Sequence, residues 1–162
     1  MTKAIMAASF DPITNGHVDL AVRAAAQFDE LVMAVYTMPK KNLTFALEDR
    51  VAMVSEALAD IPNVAVSSYT ELLVRYAERI GATVLVRGLR ATSDFDYEFQ
   101  LASMNRKMSK GVEVMFFLSD IRYTFLSSSI VKEIAELGGD VSEFVPESVA
   151  LRLKERFQPQ NG

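Results

Sequence analysis

The chain is predicted to be an α/β protein, a single domain (1–162) built on a doubly wound, five-stranded parallel sheet. Three observations predict this. Short apolar runs recur along the chain. Stretches with helical spacing fill the intervals between them. No linker, internal repeat or low-complexity tract divides the 162 residues. That length is enough to bury a substantial core.

The apolar runs cover residues 4–8, 31–36, 64–66, 83–86 and 112–118. Each shows little polar alternation, the pattern of strands covered on both faces. In the first helical stretch, His17, Ala21, Ala24 and Phe28 share a face. In the second, Leu47, Val51, Val54 and Leu58 do. A third helix is expected from about 69 to 79, with Gly81 as its C-cap, and a fourth over 93–108. Two more are expected, 127–137 stopped by Gly138-Gly139, and 147–157 after Pro146. The polar tail 158–162 is expected to fray. Right-handed crossovers carry the segments that follow the strands to one edge of the sheet, where ligands bind. Residues 9–17, 87–90 and 119–129 are therefore expected to meet there.

Composition narrows the function. The chain has no cysteine, which excludes a disulfide framework, a thiolate metal site and a thiol nucleophile, and which suits the cytoplasm. Its net charge of −4 argues against nucleic acid as a partner. The first apolar run is too short for a signal-peptide core, and no stretch is long enough to span a membrane.

The only histidine, His17, closes the segment Ser9-Phe10-Asp11-Pro12-Ile13-Thr14-Asn15-Gly16-His17. This reads as strand, tight loop and helix start, which delivers backbone N–H groups and a positive dipole end to one spot suited to phosphate. An isolated histidine here would read as a core residue beside a capped helix. The flanking glycine, threonine and asparagine favour function: Gly16 allows close approach of a ligand, and Thr14 or Asn15 can cap the helix. No G-x-G-x-x-G or P-loop pattern is present.

Three further blocks follow. Arg87-Gly88-Leu89-Arg90 places two arginines around a glycine at a strand end, where guanidinium groups can bind phosphate bidentately. Asp94 and Glu98 fall four apart on the next helix, beside those arginines. Tyr123-Thr124-Phe125-Leu126-Ser127-Ser128-Ser129 opens a helix with hydroxyls and unbonded N–H groups, which can cap it, cradle a triphosphate, or both. In the loop after the second strand, Lys40 and Lys41 are either solvated charge or partners for a phosphate that gains charge during transfer.

The Thr14-to-His17 segment resembles the T/H-x-G-H signature of the nucleotidylyltransferase superfamily. The run from Arg87 to Gln100 (R-G-L-R-x-x-x-D-F-x-Y-E-x-Q) is longer and more specific, and resembles the phosphopantetheine adenylyltransferase family, with the blocks in order from Ser9 to about Pro146. The resemblance implies a Rossmann-like nucleotidylyltransferase fold and transfer of AMP from ATP to 4′-phosphopantetheine, giving dephospho-coenzyme A. A sister enzyme with another phosphorylated acceptor, such as nicotinamide mononucleotide, is the alternative. It implies His17, Lys41 and Arg87 as catalytic residues, with Lys40 a close second to Lys41. ATP would be bound by Ser9, Phe10, His17, Gly88, Leu89, Arg90, Glu98 and the segment from Tyr123 to Ser129. Ser9, Lys41, Leu73 and Arg87 would meet the acceptor. It also implies Mg²⁺ held through ATP phosphates rather than by a protein cage, a homohexamer, and feedback by coenzyme A. The chain departs from the family pattern at Met6-Ala7-Ala8, where many members have Tyr-Pro-Gly, and at Tyr123, where some have tryptophan.

Overall fold

The computed structural model describes residues 1–39 and 42–158. Five strands, β1 (Lys3–Ala8), β2 (Glu30–Tyr36), β3 (Val64–Tyr69), β4 (Val84–Leu89) and β5 (Glu113–Leu118), pair in parallel in the order β3-β2-β1-β4-β5. Helices α1 (Asn15–Ala25), α2 (Leu47–Ala57), α3 (Leu73–Ile80) and α4 (Thr92–Met108) make the crossovers, and α5 (Ser128–Glu136) and α6 (Glu147–Phe157) follow β5. This is the doubly wound sheet expected from the sequence.

The strand period of two sorts the core into two layers. Ala4 and Met6 of β1, Leu31, Met33 and Val35 of β2, and Val84 and Val86 of β4 point to one face. There they meet α1, α2, α5 and α6 through residues such as Ala21, Met53, Val131 and Leu153. The alternate residues Ile5, Ala7, Val32, Ala34 and Leu85 point to the other face, against Val74 and Ala77 of α3. The central strands are buried on both sides, whereas edge strand β5 leaves Met115 and Leu118 exposed.

Two boundaries differ from the sequence reading. Tyr69 is not in the third helix. It pairs with Tyr36 at the end of β3, their rings 5.1 Å apart, and the helix starts at Leu73. Arg87, Gly88 and Leu89 are not loop residues either, because the β4–β5 ladder continues through them to Leu89↔Leu118. Gly81 does end α3, at φ 73°, a left-handed cap that favours glycine. Of the tail expected to fray, 159–162 lie outside the described residues.

The site is set by where the ladders stop. β1 pairs with β2 up to Ala8↔Val35, but with β4 only up to Met6↔Val86. Beyond that pair β1 and β4 diverge, β1 feeding α1 on one face and β4 feeding α4 on the other. A crevice opens between them at the carboxyl edge.

Truncating Leu31, fully buried in β2, to alanine should lower unfolding free energy in urea by about 2–5 kcal/mol with an unchanged m-value. A loss under about 0.5 kcal/mol would contradict this account of the core.

Candidate active site

The crevice holds a cavity of about 410 Å³ lined by Ala7, Ala8 and Ser9 on one side and Val86, Arg87 and Gly88 on the other. That is within the range of small-ligand sites. The N-termini of α1 and α5 both open on it, bringing Gly16 and His17 opposite Ser128 and Ser129.

His17 is oriented by a reciprocal cap. Thr14, with extended backbone, is the N-cap of α1, and its Oγ1 accepts from His17 N–H at 3.4 Å. In return Nδ1 of His17 accepts from the backbone N–H of Thr14 at 3.0 Å, with Thr14 Oγ1 at 3.1 Å. This is a capping box in which histidine takes the place of the usual glutamate. A backbone N–H can only donate, so Nδ1 is the acceptor and the neutral ring carries its hydrogen on Nε2. The ring of Phe10 stands edge-on to the imidazole, centroids 5.1 Å apart. His17 lines the cleft, and Nε2–H is the hydrogen-bond donor of its neutral ring.

Gly16 does not serve ligand approach alone. A Cβ there would lie 3.3 Å from Tyr123 Cβ and 3.7 Å from Leu126 Cδ2, so the glycine lets the segment before α5 pack on α1. Gly88 is tighter, since a Cβ would come within 2.9 Å of Leu20 Cδ2.

Arg87 crosses the crevice. Its Nε and Nη2 grip Glu98 of α4 at 2.8 and 2.6 Å, and Nη1 donates to Ala7 O at 3.1 Å. The Ala7 carbonyl lies just past the last β1–β4 pair, so the arginine satisfies a group that the split leaves without a ladder partner. Desolvation pulls the guanidinium pKa down, but the hydrogen bonds to Glu98 and its charge, with Tyr69 and Tyr97, together raise the value. These contacts use three of the five N–H donors and leave one on each terminal nitrogen. Arg90 pairs with Asp94 at 3.2 Å and donates to Leu126 O at 2.9 Å, tying β4 to the segment before α5. Burial pushes the nearby Tyr69 phenol up to about 12, against the pull of Arg87.

The serine block divides its work. Ser127 is the N-cap of α5 and accepts from Ile130 N–H, while Ser128 Oγ donates to Pro12 O at 2.7 Å.

The sequence-predicted residues thus converge. Ser9, Phe10, His17, Gly88 and Arg90 line one cleft, together with Arg87 and Glu98, and with Tyr123, Leu126 and the three serines. Leu89, Thr124 and Phe125 do not line it, and Phe125 is 87% exposed. Leu73 starts α3 and packs against the core layer of Ile5, Ala7, Val32, Ala34 and Leu85, but it does not line the cleft. Lys40 and Lys41 lie outside the described residues. Three residues around the site were not predicted: Asp11, Arg50 and Lys132. Asp11 is buried within the loop between β1 and α1, Arg50 is buried against that loop, and Lys132 binds Asp11. Arg50 did leave a signal. It lies three residues after Leu47 and four before Val54, an arginine on the apolar face of a helix. Burial lowers its pKa, with Asp11 and Glu48 opposing.

Comparisons with known proteins give the family and the fold. The cytidylyltransferase-like family model matches residues 5–134. A phosphopantetheine adenylyltransferase from Herpetosiphon aurantiacus is 54% identical over 98% of this chain and 96% of its own length. One from Staphylococcus carnosus is 47% identical over 96% and 97%. The chain belongs to the phosphopantetheine adenylyltransferase family. A solved structure assigned as a nicotinate-nucleotide adenylyltransferase from Vibrio parahaemolyticus, 20% identical, superposes with a TM-score of 0.69 over 95% of this chain and 92% of that one. The two chains share a fold.

The tautomer is directly measurable. In ¹⁵N NMR of the imidazole near neutral pH, Nδ1 should give the shift of an unprotonated nitrogen and Nε2 that of a protonated one. The reverse assignment would contradict the Thr14 cap.

Proposed function

We propose that this chain transfers an adenylyl group from ATP to 4′-phosphopantetheine, releasing pyrophosphate and forming dephospho-coenzyme A. Family membership over nearly the full length carries the reading, and the donors around the cleft suit it. An oxygen of the acceptor phosphate attacks the α-phosphorus in line, and the bond to the pyrophosphate oxygen breaks. The attacking oxygen is already anionic, so the protein has no nucleophile to supply. Its work is alignment and stabilisation of moving charge.

Within that reaction His17 Nε2–H donates to an α-phosphate oxygen. Arg87, held by Glu98, turns its two remaining N–H donors to the acceptor phosphate, with Lys41 as the second cation. Arg90, Ser9, Phe10 and the residues from Tyr123 to Ser129 hold the nucleotide, helped by the dipole of α5. Gly88, Leu89 and Glu98 complete that set. Leu73 meets the far end of the acceptor, which then runs over the carboxyl ends of β1 and β2. Among the described residues no group of three His, Cys, Asp or Glu side chains could hold a metal ion. Mg²⁺ would enter with the ATP phosphates, which supply oxygen ligands of the kind it prefers. Coenzyme A, which shares the pantetheine arm, competes for the same cleft.

No helix of the described residues is long and apolar enough to cross a membrane. We place the reaction in the cytoplasm, which the absence of cysteine suits. We also propose self-association, as a hexamer on the family likeness. Exposed apolar side chains on α4 and the β5 edge support it, among them Phe95, Phe99, Met104 and Leu118.

Pyrophosphate release from ATP and Mg²⁺ should require 4′-phosphopantetheine, with nicotinamide mononucleotide and a no-acceptor control silent. Release with nicotinamide mononucleotide instead would overturn the acceptor assignment. His17→Ala should reduce kcat about 10²- to 10³-fold while leaving the far-UV spectrum unchanged. A near-normal rate would contradict the role given to the imidazole.

A further inference from the structure

Asp11 is a charged residue in a loop that lines the cleft, yet its side chain has no exposed surface. Its oxygens accept three donors from distant parts of the chain. Thr44 N–H and Lys132 Nζ both reach Oδ2 at 2.9 Å, and Phe45 N–H reaches Oδ1 at 2.9 Å. Thr44 and Phe45 lead into α2, and Lys132 belongs to α5. Further bonds run in the same direction, from the helices to the loop. Arg50 of α2 donates to Ser9 O at 2.7 Å, and Ser128 of α5 donates to Pro12 O at 2.7 Å. The loop is thus held from both sides, and Asp11 binds both the segment leading into α2 and α5.

The residue held beside it is strained. Phe10 is buried with φ 47°, a left-handed conformation rare for a bulky residue. Such strain persists where surrounding contacts over-determine it, and it gathers at functional sites. The Phe10 ring abuts the His17 imidazole. We propose that Asp11 is a positioning residue for the transfer step. It fixes Ser9 to Pro12, and through Phe10 it fixes the angle at which His17 meets the α-phosphate. The proposal rests on the adenylyl-transfer reading above. A carboxylate is needed because donors converge on both of its oxygens. An amide could keep Thr44 and Lys132 on its single oxygen, but would turn an NH₂ group toward the Phe45 N–H.

The test is a double-mutant cycle in the pyrophosphate-release assay. Asp11→Asn should lower kcat about 10- to 100-fold, the scale of a misplaced reacting group, with KM for ATP and for phosphopantetheine within about threefold. In a His17→Ala background the same change should lower kcat by less than about threefold, because no imidazole remains to be aimed. An equal fold-loss in both backgrounds, or no loss in the first, overturns the proposal. Should Asp11→Asn fail to fold, Lys132→Met enters the same cycle with the same two expectations, and Lys132→Arg should restore kcat. A Lys132→Met loss that persists undiminished without His17 overturns it as well. The wild-type rate reports separately on the reaction: silence with phosphopantetheine overturns the acceptor assignment, whereas an active wild type with an additive cycle overturns the role of Asp11.

Discussion

The site depends on one interruption of backbone pairing. Parallel strands β1 and β4 stay together only as far as Met6↔Val86, although each continues to pair with its other neighbour. The interruption follows from winding, because β1 sends its chain to one face of the sheet and β4 to the other. It creates the crevice and also exposes carbonyl groups that no ladder satisfies. Buried carbonyls need donors, and at the split Arg87 supplies one to Ala7; Arg50 does the same for Ser9 and Tyr36, just past the end of the β1–β2 ladder. The same side chains that complete the backbone pairing place cationic groups at the cleft and beneath its floor.

An acidic chain can still bind polyphosphate by this means. Arg87 and Arg90 are each held by a carboxylate, Glu98 and Asp94, so neither contributes a bare charge. They present N–H donors in fixed directions, backed by two helix N-termini. Removing one partner from the half-buried Arg87–Glu98 pair would leave its mate without compensation, a larger loss than the pair's net contribution. Lys132 and Arg50 flank the buried Asp11 in the same way, two cations to one carboxylate. Preorganisation of this kind acts where charge moves in the transition state, rather than on net charge.

Much of this was legible in the sequence. Five apolar runs with helical intervals give the layered sheet, because the two periodicities cannot be exchanged. The His17, Arg87 and Ser127 blocks announce themselves by residue type and by position at strand ends. Asp11 did not, although it lies inside the most conspicuous motif, because a sequence does not tell a solvated aspartate from one with three internal donors. Gly16 looked like room for a ligand, and its space is largely filled by Tyr123 and Leu126 from 107 and 110 residues away. Helical spacing continues through Tyr69, and its cross-strand contact with Tyr36, rings tilted by 39°, is a long-range contact that local pattern cannot show.

The central claim is that the triphosphate sits at the β1–β4 split with its α-phosphate on His17. A crystal structure with a non-hydrolysable ATP analogue tests it most directly. The account predicts an α-phosphate oxygen within hydrogen-bond distance of Nε2, with the outer phosphates over the start of α5. A triphosphate bound away from the crevice, for example in the groove between α2 and α6, would contradict it.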